Sequence, residues 1–477
     1  MHILFVTSEV AGIFKIGGLA DVSSALPVAL AKEGIQVTVV LPFYSTIDSD
    51  HVKEIGKISV DYNQSRCSVV ICEKTISEGA KLLLLKHPKL EAYAGKPIED
   101  TFAFYSKAVA SLYDASGRFF ENPIDIVHCH DWHTALIPLL IKENNKLHGA
   151  LESVNSKNIG TIITIHNLMY QGVTDAGIID RLYVPRDVFQ IRSTSRGEVV
   201  SFLREGFEYA DLVTTVSPTY AKEIVATYHH DALGESLIRR KEGLHGIVNG
   251  IDQVAWDPKH DTYIDQMYDA SSVTDVKKKL KKSIQTEYHI PTEDAMVIGF
   301  VGRIEPRQKG IDLVMKSFCR LVNDTNIQLV ILGTGDESTV TELQNLSAEF
   351  SQRISFKNIF DDKIAHKIYA GCDALLVPSK FEPCGLTQMI AMRYGTLPIV
   401  RKTGGLADTV THLENGFVFD EYSAEALEET IRLSYRMYLE QASQWQSMIH
   451  NAMRKDFSWK TSALEYIQLY RSLTHSK

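Results

Sequence analysis

The chain has 477 residues and a net charge of −9, with 44% hydrophobic and 23% charged residues. This length exceeds what one ordinary hydrophobic core accommodates, so two domains are expected. The acidic balance argues against a general binder of nucleic acid or of anionic membranes, and any anionic ligand must therefore meet a local basic pocket.

The beginning of the chain and the cysteines predict a cytoplasmic location. The opening apolar stretch ends after four residues and lacks a basic flank, which is typical of a buried strand rather than a signal peptide. The longer apolar stretches are too short to span a bilayer. The six cysteines are scattered without a Cys-x-x-Cys pair, so we expect reduced thiols.

Short apolar runs alternate with helical patterns, which indicates parallel sheets covered by helices on both faces and an α/β fold class. One series of runs lies at residues 3–7, 36–41, 125–130, 161–166 and 212–217, and a second at 296–302, 327–333, 373–378, 397–401 and 416–419. Three further runs, at residues 58–62, 68–74 and 81–86, follow one another without an intervening helix. They predict an antiparallel insertion or extension of the first sheet.

A turn rich in Gly and Asn at residues 245–252 separates the two series and predicts the domain boundary. The first domain is then expected at residues 1–245 and the second at 246–455. Trp459, Ala463, Tyr466 and Tyr470 recur at helical spacing. They predict a C-terminal helix within residues 456–477 that crosses back to the first domain.

One octapeptide occurs in both halves of the chain. Lys-Ile-Gly-Gly-Leu-Ala-Asp-Val at residues 15–22 returns as Lys-Thr-Gly-Gly-Leu-Ala-Asp-Thr at residues 402–409. Each copy follows a predicted strand and opens a helix, where a glycine pair lets backbone N–H groups approach an anionic ligand. The alternative is tight packing between strand and helix. Two copies, each with a basic residue just ahead, favour a diphosphate or a sugar as the ligand.

Two further loops place charged side chains at strand ends. Arg303 and Lys309 lie between a strand and a helix, where ligands of open α/β sheets bind, and they are suited to hold a leaving diphosphate. Glu382 follows the predicted strand at 373–378 and precedes another helix. Its carboxylate can accept hydrogen bonds from sugar hydroxyls, while the N–H groups of residues 385–387 face the same ligand. The alternatives are a solvated loop for the cations and a structural helix N-terminal charge for Glu382.

In this order, the motifs resemble those of bacterial and plant glycogen and starch synthases, family five of the glycosyltransferases. The similarity runs nearly end to end and is carried by Lys-x-Gly-Gly-Leu-Ala-Asp (15–21), His-Asp-Trp-His (130–133), His-Asn-Leu-x-Tyr-Gln-Gly (166–172), Ser-Pro-Thr-Tyr (217–220), Asn-Gly-Ile-Asp (249–252), Phe-Glu-Pro-Cys-Gly-Leu-Thr-Gln (381–388) and Asp-Phe-Ser-Trp (456–459). The resemblance implies the GT-B architecture, in which two Rossmann-like doubly wound domains face each other across a deep cleft.

The resemblance also implies an activity. It is the retaining transfer of glucose from ADP-glucose to the non-reducing 4-OH of an α-1,4-glucan such as glycogen, without cofactor or metal. UDP-glucose as donor, a glucan phosphorylase, a sucrose-type synthase and a non-catalytic binding module remain alternatives. Neither nucleic acid nor a membrane is expected as a partner.

Site residues are implied in the same way. The catalytic set is His166, Glu382, Arg303, Lys309 and Asp21. Donor-binding residues are Lys15, Gly17, Gly18, Asn249, Phe360, Cys384, Gly385, Leu386 and Thr387, and the acceptor side comprises Asp131 and Trp132.

The chain departs from the wider pattern at two positions. Ile390 stands where many retaining GT-B enzymes have a second Glu, and Phe360 stands where close relatives usually have Tyr. Stacking on a base survives the second change although a hydroxyl is lost.

Residues 128–133 are rich in metal-ligand types, but His128 and His130 share one face of a strand while Cys129 points away. We therefore expect no metal there, and full activity in excess chelator.

Overall fold

The structure is a computed structural model that describes residues 1–77, 79–93, 98–148, 159–227, 232–240 and 243–475. The chain forms two compact units. Unit 1 comprises Met1–Gly250 and Trp459–Lys477, and unit 2 comprises Ile251–Ser458. The division falls after Gly250, inside the Gly- and Asn-rich turn, rather than at residue 245.

The first part of unit 1 alternates strands and helices. Its elements are β1 (His2–Val6), α1 (Gly18–Lys32), β2 (Gln36–Pro42), β3 (Lys53–Tyr62), β4 (Ser65–Ser77), β5 (Ala80–Lys86), α2 (Ile98–Asp114), β6 (Ile126–His130), α3 (Ile137–His148), β7 (Gly160–Ile165), β8 (Val173–Asp175), β9 (Arg192–Thr194), β10 (Gly197–Ser201), α4 (Phe202–Tyr209), β11 (Leu212–Thr215), α5 (Pro218–Thr227), α6 (Ala232–Arg239) and β12 (Leu244–Gly246).

Unit 2 continues the alternation, and the chain then ends in one more helix. The elements are α7 (Val273–Glu287), β13 (Met296–Val301), α8 (Ile311–Leu321), β14 (Ile327–Leu332), α9 (Glu337–Glu349), β15 (Ile354–Lys357), α10 (Asp362–Gly371), β16 (Ala374–Val377), α11 (Thr387–Arg393), β17 (Leu397–Arg401), α12 (Gly404–Thr409), β18 (Phe417–Phe419), α13 (Ala424–Glu440), α14 (Ala442–Arg454) and α15 (Trp459–His475).

The main sheet of unit 1 has the strand order β12-β11-β7-β6-β1-β2-β5-β4-β3. Its strands are parallel from β12 to β5. Ile3 and Phe5 of β1 pack into one hydrophobic cluster, whereas Leu4 and Val6 pack into the other. The sheet is thus buried on both faces, which explains why its strands appear in the sequence as continuous apolar runs.

The antiparallel extension of this sheet is confirmed, because β4 pairs antiparallel with both β3 and β5. A small sheet of order β8-β10-β9 is not predicted by the sequence. Two of these strands have three residues each, too few to establish a period-two pattern.

Unit 2 contains one parallel sheet of order β15-β14-β13-β16-β17-β18. Every residue of β14 and β16 is buried. The second apolar series of the sequence therefore forms a second parallel α/β layer, as predicted.

The last helix, α15, belongs to unit 1, although it follows unit 2 in the chain. Trp459, Tyr466 and Tyr470 are buried in the cluster that also holds Ile3 and Phe5. Across the described part of the chain, no helix is both long and apolar enough to cross a membrane.

Candidate active site

Each parallel sheet has a switch point at which the chain reverses its direction of travel across the sheet. In unit 1, β1 lies between β2 and β6, and in unit 2, β13 lies between β14 and β16. Ligands of doubly wound sheets bind outside the carboxyl ends of such strands. The predicted site residues follow these or neighbouring strands: Lys15 to Asp21 after β1, Asp131 and Trp132 after β6, His166 after β7, Asn249 after β12, Arg303 and Lys309 after β13, Phe360 after β15, and Glu382 to Thr387 after β16.

The glycine loop after β1 is held by a buried acid. The Ile16 and Gly17 N–H groups both donate to Glu9 Oε2, at 2.7 Å each. Gly17 N–H is therefore engaged by the protein. A Cβ atom added at Gly18 would meet no atom within 4 Å, so the backbone there is open to a ligand. The Lys15 ammonium forms a 2.7 Å ion pair with Asp21.

Asp131 connects the ends of β6 and β7. Its backbone has φ 58° and ψ −177°, and its Oδ1 accepts the His166 N–H at 2.7 Å. Burial raises the pKa of Asp131 to about 7, although the N–H groups of His166 and Asn167 oppose the shift. A non-glycine residue at positive φ costs on the order of 1–3 kcal/mol, and such strain concentrates at functional sites.

His166 is half-buried at the end of β7. Burial lowers its pKa to about 3, so the ring is neutral at any working pH. Its Nε2 lies 3.0 Å from His130 Nδ1. His166 can therefore serve as a neutral polar group but not as a cation.

Trp132 is a packing residue rather than an open platform. Its ring lies 5.2 Å from Phe102 and 4.2 Å from His133, measured between centroids. Gly172 has φ +59°, and a Cβ atom there would approach Trp132 Cε3 to 2.3 Å. Trp132 thus supports the turn that follows His166.

Asn249 is 7% exposed, and its Oδ1 is buried without a hydrogen-bond partner among the residues that the structure describes. Because buried polar atoms are rarely left unpaired, this oxygen is suited to a ligand.

In unit 2, Glu382 and Lys309 form the centre of the candidate site. The Lys309 ammonium lies 2.7 Å from Glu382 Oε2, and the Ser379 hydroxyl donates to the same oxygen at 2.9 Å. Arg303 is exposed and donates to Gln308 Oε1 at 3.0 Å. Arg307 is exposed as well, so Lys309 is the basic residue of this loop that contacts Glu382.

The loop after Glu382 directs backbone donors towards the same end of the sheet. Gly385 adopts φ +75°, and helix α11 begins two residues later at Thr387. The first N–H groups of a helix have no acceptor within it, so the Thr387 N–H has none within α11. Cys384 is buried, whereas Phe360, after the edge strand β15, is 78% exposed.

The second copy of the glycine pair is used differently from the first. A Cβ atom at Gly404 would lie 1.9 Å from the Glu382 carbonyl oxygen. The Gly405 N–H donates to that same carbonyl at 3.1 Å. Here the alternative of tight packing holds, and the glycines let α12 fix the backbone that carries Glu382.

Comparison with known proteins decides the family. The model of the starch synthase catalytic domain matches residues 2–248, and that of glycosyl transferases group 1 matches residues 282–452. The chain is 37% identical to the glycogen synthase of Bacillus subtilis (strain 168), with 100% of this chain and 99% of the relative covered. The glycogen synthase of Clostridium novyi (strain NT) is 36% identical, with full coverage of both chains. The chain belongs to the glycogen and starch synthase family.

Solved structures agree with this family and fold. The catalytic domain of starch synthase IV from Arabidopsis thaliana, bound to ADP and acarbose, matches with a TM-score of 0.87 and 28% identity over 99% of both chains. Sucrose-phosphate synthase from Thermosynechococcus elongatus matches with a TM-score of 0.62 and 19% identity over the whole of both chains, which shows the fold alone. The predicted family and the GT-B glycosyltransferase fold are confirmed, and the protein is a glycosyltransferase.

No group of three or more His, Cys, Asp or Glu side chains within the described ranges could hold a metal ion. In the histidine-rich segment, His128 is instead hydrogen-bonded to Tyr470 and Thr164, at 2.8 and 2.7 Å.

Sequence reasoning missed two residues that contact predicted site residues. Glu9 lies three residues after β1, and a charged residue so close to a buried strand is a signal that could have identified it. His130 was considered only as part of the His-Asp-Trp-His motif and as a candidate metal ligand, without a role of its own. Its contact with His166 depends on β6 and β7 being neighbours, which no local pattern encodes.

Proposed function

We propose that the protein is a retaining glucosyltransferase of glycogen biosynthesis that transfers glucose from ADP-glucose to the non-reducing 4-OH of an α-1,4-glucan in the cytoplasm. The observation that carries the proposal is the Lys309–Glu382 ion pair at the switch point of unit 2, whose lysine lies on the same loop as Arg303. Cations there suit a diphosphate, and a buried carboxylate suits sugar hydroxyls. The names of the full-length relatives support the reaction, and the starch synthase IV complex supports an adenine nucleotide and a glucan as ligands.

The donor diphosphate is bound by Arg303 and Lys309, with further contacts from Lys15 and the open backbone at Gly18. Lys309 already lies on Glu382, so one ammonium can connect the phosphate with the carboxylate that binds the glucose. The N–H groups after Cys384, at Gly385, Leu386 and Thr387, and the orphaned oxygen of Asn249 supply further polar contacts to the donor. Phe360, with most of its ring exposed, stacks on the base.

The acceptor glucan lies on unit 1, beside Asp21 and Asp131, with Trp132 supporting the turn behind them. His166 lies against the donor sugar near C1, where its neutral ring and its carbonyl oxygen face developing oxocarbenium charge. Asp21 and Glu382 are both paired with lysines, which makes either carboxylate a poor nucleophile.

We therefore favour a front-face substitution. The bond from C1 to the phosphate oxygen breaks while the 4-OH oxygen bonds to C1, and the leaving phosphate oxygen takes the hydroxyl proton. Retention then needs no enzyme-bound sugar, and a trapped glucosyl-enzyme would contradict the mechanism.

The deciding assay follows glycogen elongation with ADP-, UDP- and GDP-glucose in parallel, with and without excess chelator. We expect turnover with ADP-glucose that is unchanged by the chelator, since Arg303 and Lys309 neutralise the diphosphate without a metal. Preference for UDP-glucose would favour the alternative donor. Binding of nucleotide and glycogen without turnover from any donor would favour a non-catalytic module and reject the proposal.

Substitution of Arg303 tests the phosphate contact directly. Arg303→Ala should lower kcat by about 10²–10³-fold, the usual effect of removing one preorganised group that stabilises charge in the transition state. Arg307→Ala removes another exposed cation from the same loop and should leave kcat near the wild-type value. Equal effects of the two substitutions would place the diphosphate elsewhere.

A further inference from the structure

His130 contacts a residue of the candidate site, His166, but is itself inaccessible to solvent. It is fully buried at the end of β6, and its ring packs at a tilt against Phe5 and His128, at centroid distances of 4.0 and 4.2 Å. Its Nδ1 lies 3.0 Å from Nε2 of His166, the residue on which the proposed function places the donor sugar. No role follows for His130 from the reaction as described above.

Both rings are neutral, because burial lowers the pKa of His166 to about 3 and that of His130 well below its usual range. A neutral imidazole carries one N–H and one bare nitrogen. The two nitrogens that face each other must therefore share a single proton. Either His130 Nδ1–H donates to His166 Nε2, or His166 Nε2–H donates to His130 Nδ1.

The other nitrogen of His130 distinguishes the two arrangements. His130 Nε2 is buried and has no hydrogen-bond partner in the part of the chain that the structure describes. If His166 were the donor, the proton of His130 would lie on Nε2 and form a buried N–H without an acceptor. Orphaned N–H groups are rarer in protein interiors than underused acceptors, because a buried donor without a partner gives up its hydrogen bonds to water and gains none. The arrangement with His130 as donor leaves only a bare acceptor nitrogen at that position.

We propose that His130 is a positioning residue that fixes the tautomer of His166, so that His166 presents Nδ1–H as a hydrogen-bond donor to an oxygen of the bound sugar. The proposal rests on the proposed function, which places the sugar there. Since Nε2 of His166 accepts from His130 and Nδ1 carries the proton, neither nitrogen is available as a general base. At this position His166 therefore favours a ligand oxygen that can accept a hydrogen bond over a group that can only donate one.

Nitrogen-15 NMR of the full chain, labelled in histidine, tests the tautomer without any turnover. Signals of His166 are assigned by their loss in His166→Ala. We expect a protonated Nδ1 and a bare Nε2, with no titration between about pH 5 and pH 8. A proton on His166 Nε2 would overturn the proposal even if the chain makes glycogen. The expected tautomer in a chain that transfers no glucose would instead reject the proposed function alone.

Two substitutions of His130 separate its N–H from its shape. His130→Phe keeps an aromatic ring between Phe5 and His128 but removes the donor, and kcat should fall about tenfold. His130→Asn places an amide N–H near the position of Nδ1 and should recover most of that loss. Equal kcat values for wild type and His130→Phe, or equal losses in both variants, would contradict the donor role.

A matched control comes from another buried histidine in the same unit. His2, at the opposite end of β1, has its ring nitrogens 3.1 Å from the Asn122 carbonyl and 2.9 Å from the Thr38 hydroxyl. His2→Phe should lower the melting temperature with kcat unchanged. If His130→Phe does not fold, His130→Asn and the NMR measurement still decide the question.

Discussion

At the scale of single residues, each unit holds charged side chains of the candidate set that are already paired. Lys15 is bound to Asp21 and Lys309 to Glu382, both at 2.7 Å, while Glu9 holds the loop that precedes α1. Ligand binding to these side chains therefore has to redistribute existing contacts, whereas Asn249 Oδ1 has no partner among the described residues. Such preorganisation keeps the long lysine side chains in place before the donor arrives.

Glu205 provides a test of burial at this scale. It is fully buried on α4, where Oε1 accepts the Gln190 N–H at 2.9 Å and Oε2 has no partner in the described ranges. Burial raises the pKa of Glu205 to about 7. The folded state then binds more protons than the unfolded state between about pH 4 and pH 7, so stability is lost as the pH rises through this window.

Glu205→Gln cannot ionise, and its free energy of unfolding relative to wild type should rise by on the order of 3 kcal/mol across that window. Chemical denaturation at a series of pH values measures this difference. Glu208 is the control: burial alone would raise its pKa, but hydrogen bonds from Ser236 and Arg239 lower it. The relative stability of Glu208→Gln should fall as the pH rises. A pH-independent difference for Glu205→Gln would contradict the shift.

At the scale of elements, the same octapeptide serves two purposes. After β1, the backbone at Gly18 is open, whereas after β17, Gly404 and Gly405 bring α12 against the carbonyl of Glu382. In both copies the missing side chain leaves the backbone accessible. In the first copy that space is open, and in the second it is filled by the backbone of Glu382. The pattern of residues is nearly identical, and only the neighbouring strand decides which group fills the space.

Substituting one glycine from each copy distinguishes these purposes. Gly404 has φ +43°, so Gly404→Ala should cost at least about 1–2 kcal/mol from its backbone conformation, in addition to displacing Glu382. We expect a lower melting temperature and a higher donor KM. Gly17→Ala adds a methyl group in open space at an ordinary φ of −144°, so the melting temperature should stay near that of wild type. Equal melting temperatures for wild type, Gly404→Ala and Gly17→Ala would refute the packing role of Gly404.

At the scale of the whole molecule, unit 1 is completed by the end of the chain. Helix α15 supplies Trp459, Tyr466 and Tyr470 to a core that otherwise comes from the first 250 residues. Tyr470 also lies 2.8 Å from His128, across 342 residues of sequence. Unit 1 therefore lacks part of its core until the residues of α15 have been synthesised.

Ending the chain after Ser458 should unfold unit 1, because three buried aromatic side chains and their partners would lose their contacts. Limited proteolysis with mass mapping would then show cleavage concentrated before Gly250. Tyr470→Phe is the milder counterpart: it removes only the hydroxyl, but it leaves the buried His128 Nδ1 without that partner and should cost about 1–3 kcal/mol. A truncated chain that resists protease as wild type does would contradict the need for α15.

The sequence by itself determined the alternation of strands and helices, the antiparallel extension, the family and the strand ends that carry polar residues. These features depend on burial and on loop chemistry, which act over a few consecutive residues and leave local patterns. It did not reveal the short strands β8, β9 and β12, whose three residues each are too few to form a pattern.

Only the tertiary structure decided which polar groups meet. Lys309 reaches Glu382 across 73 residues and His130 reaches His166 across 36, because β13 neighbours β16 and β6 neighbours β7. Strand order is settled by the packing of the whole sheet and not by any single segment. The contact of Lys309, rather than Arg307, with Glu382 and the contact of His130 with His166 both depend on that order.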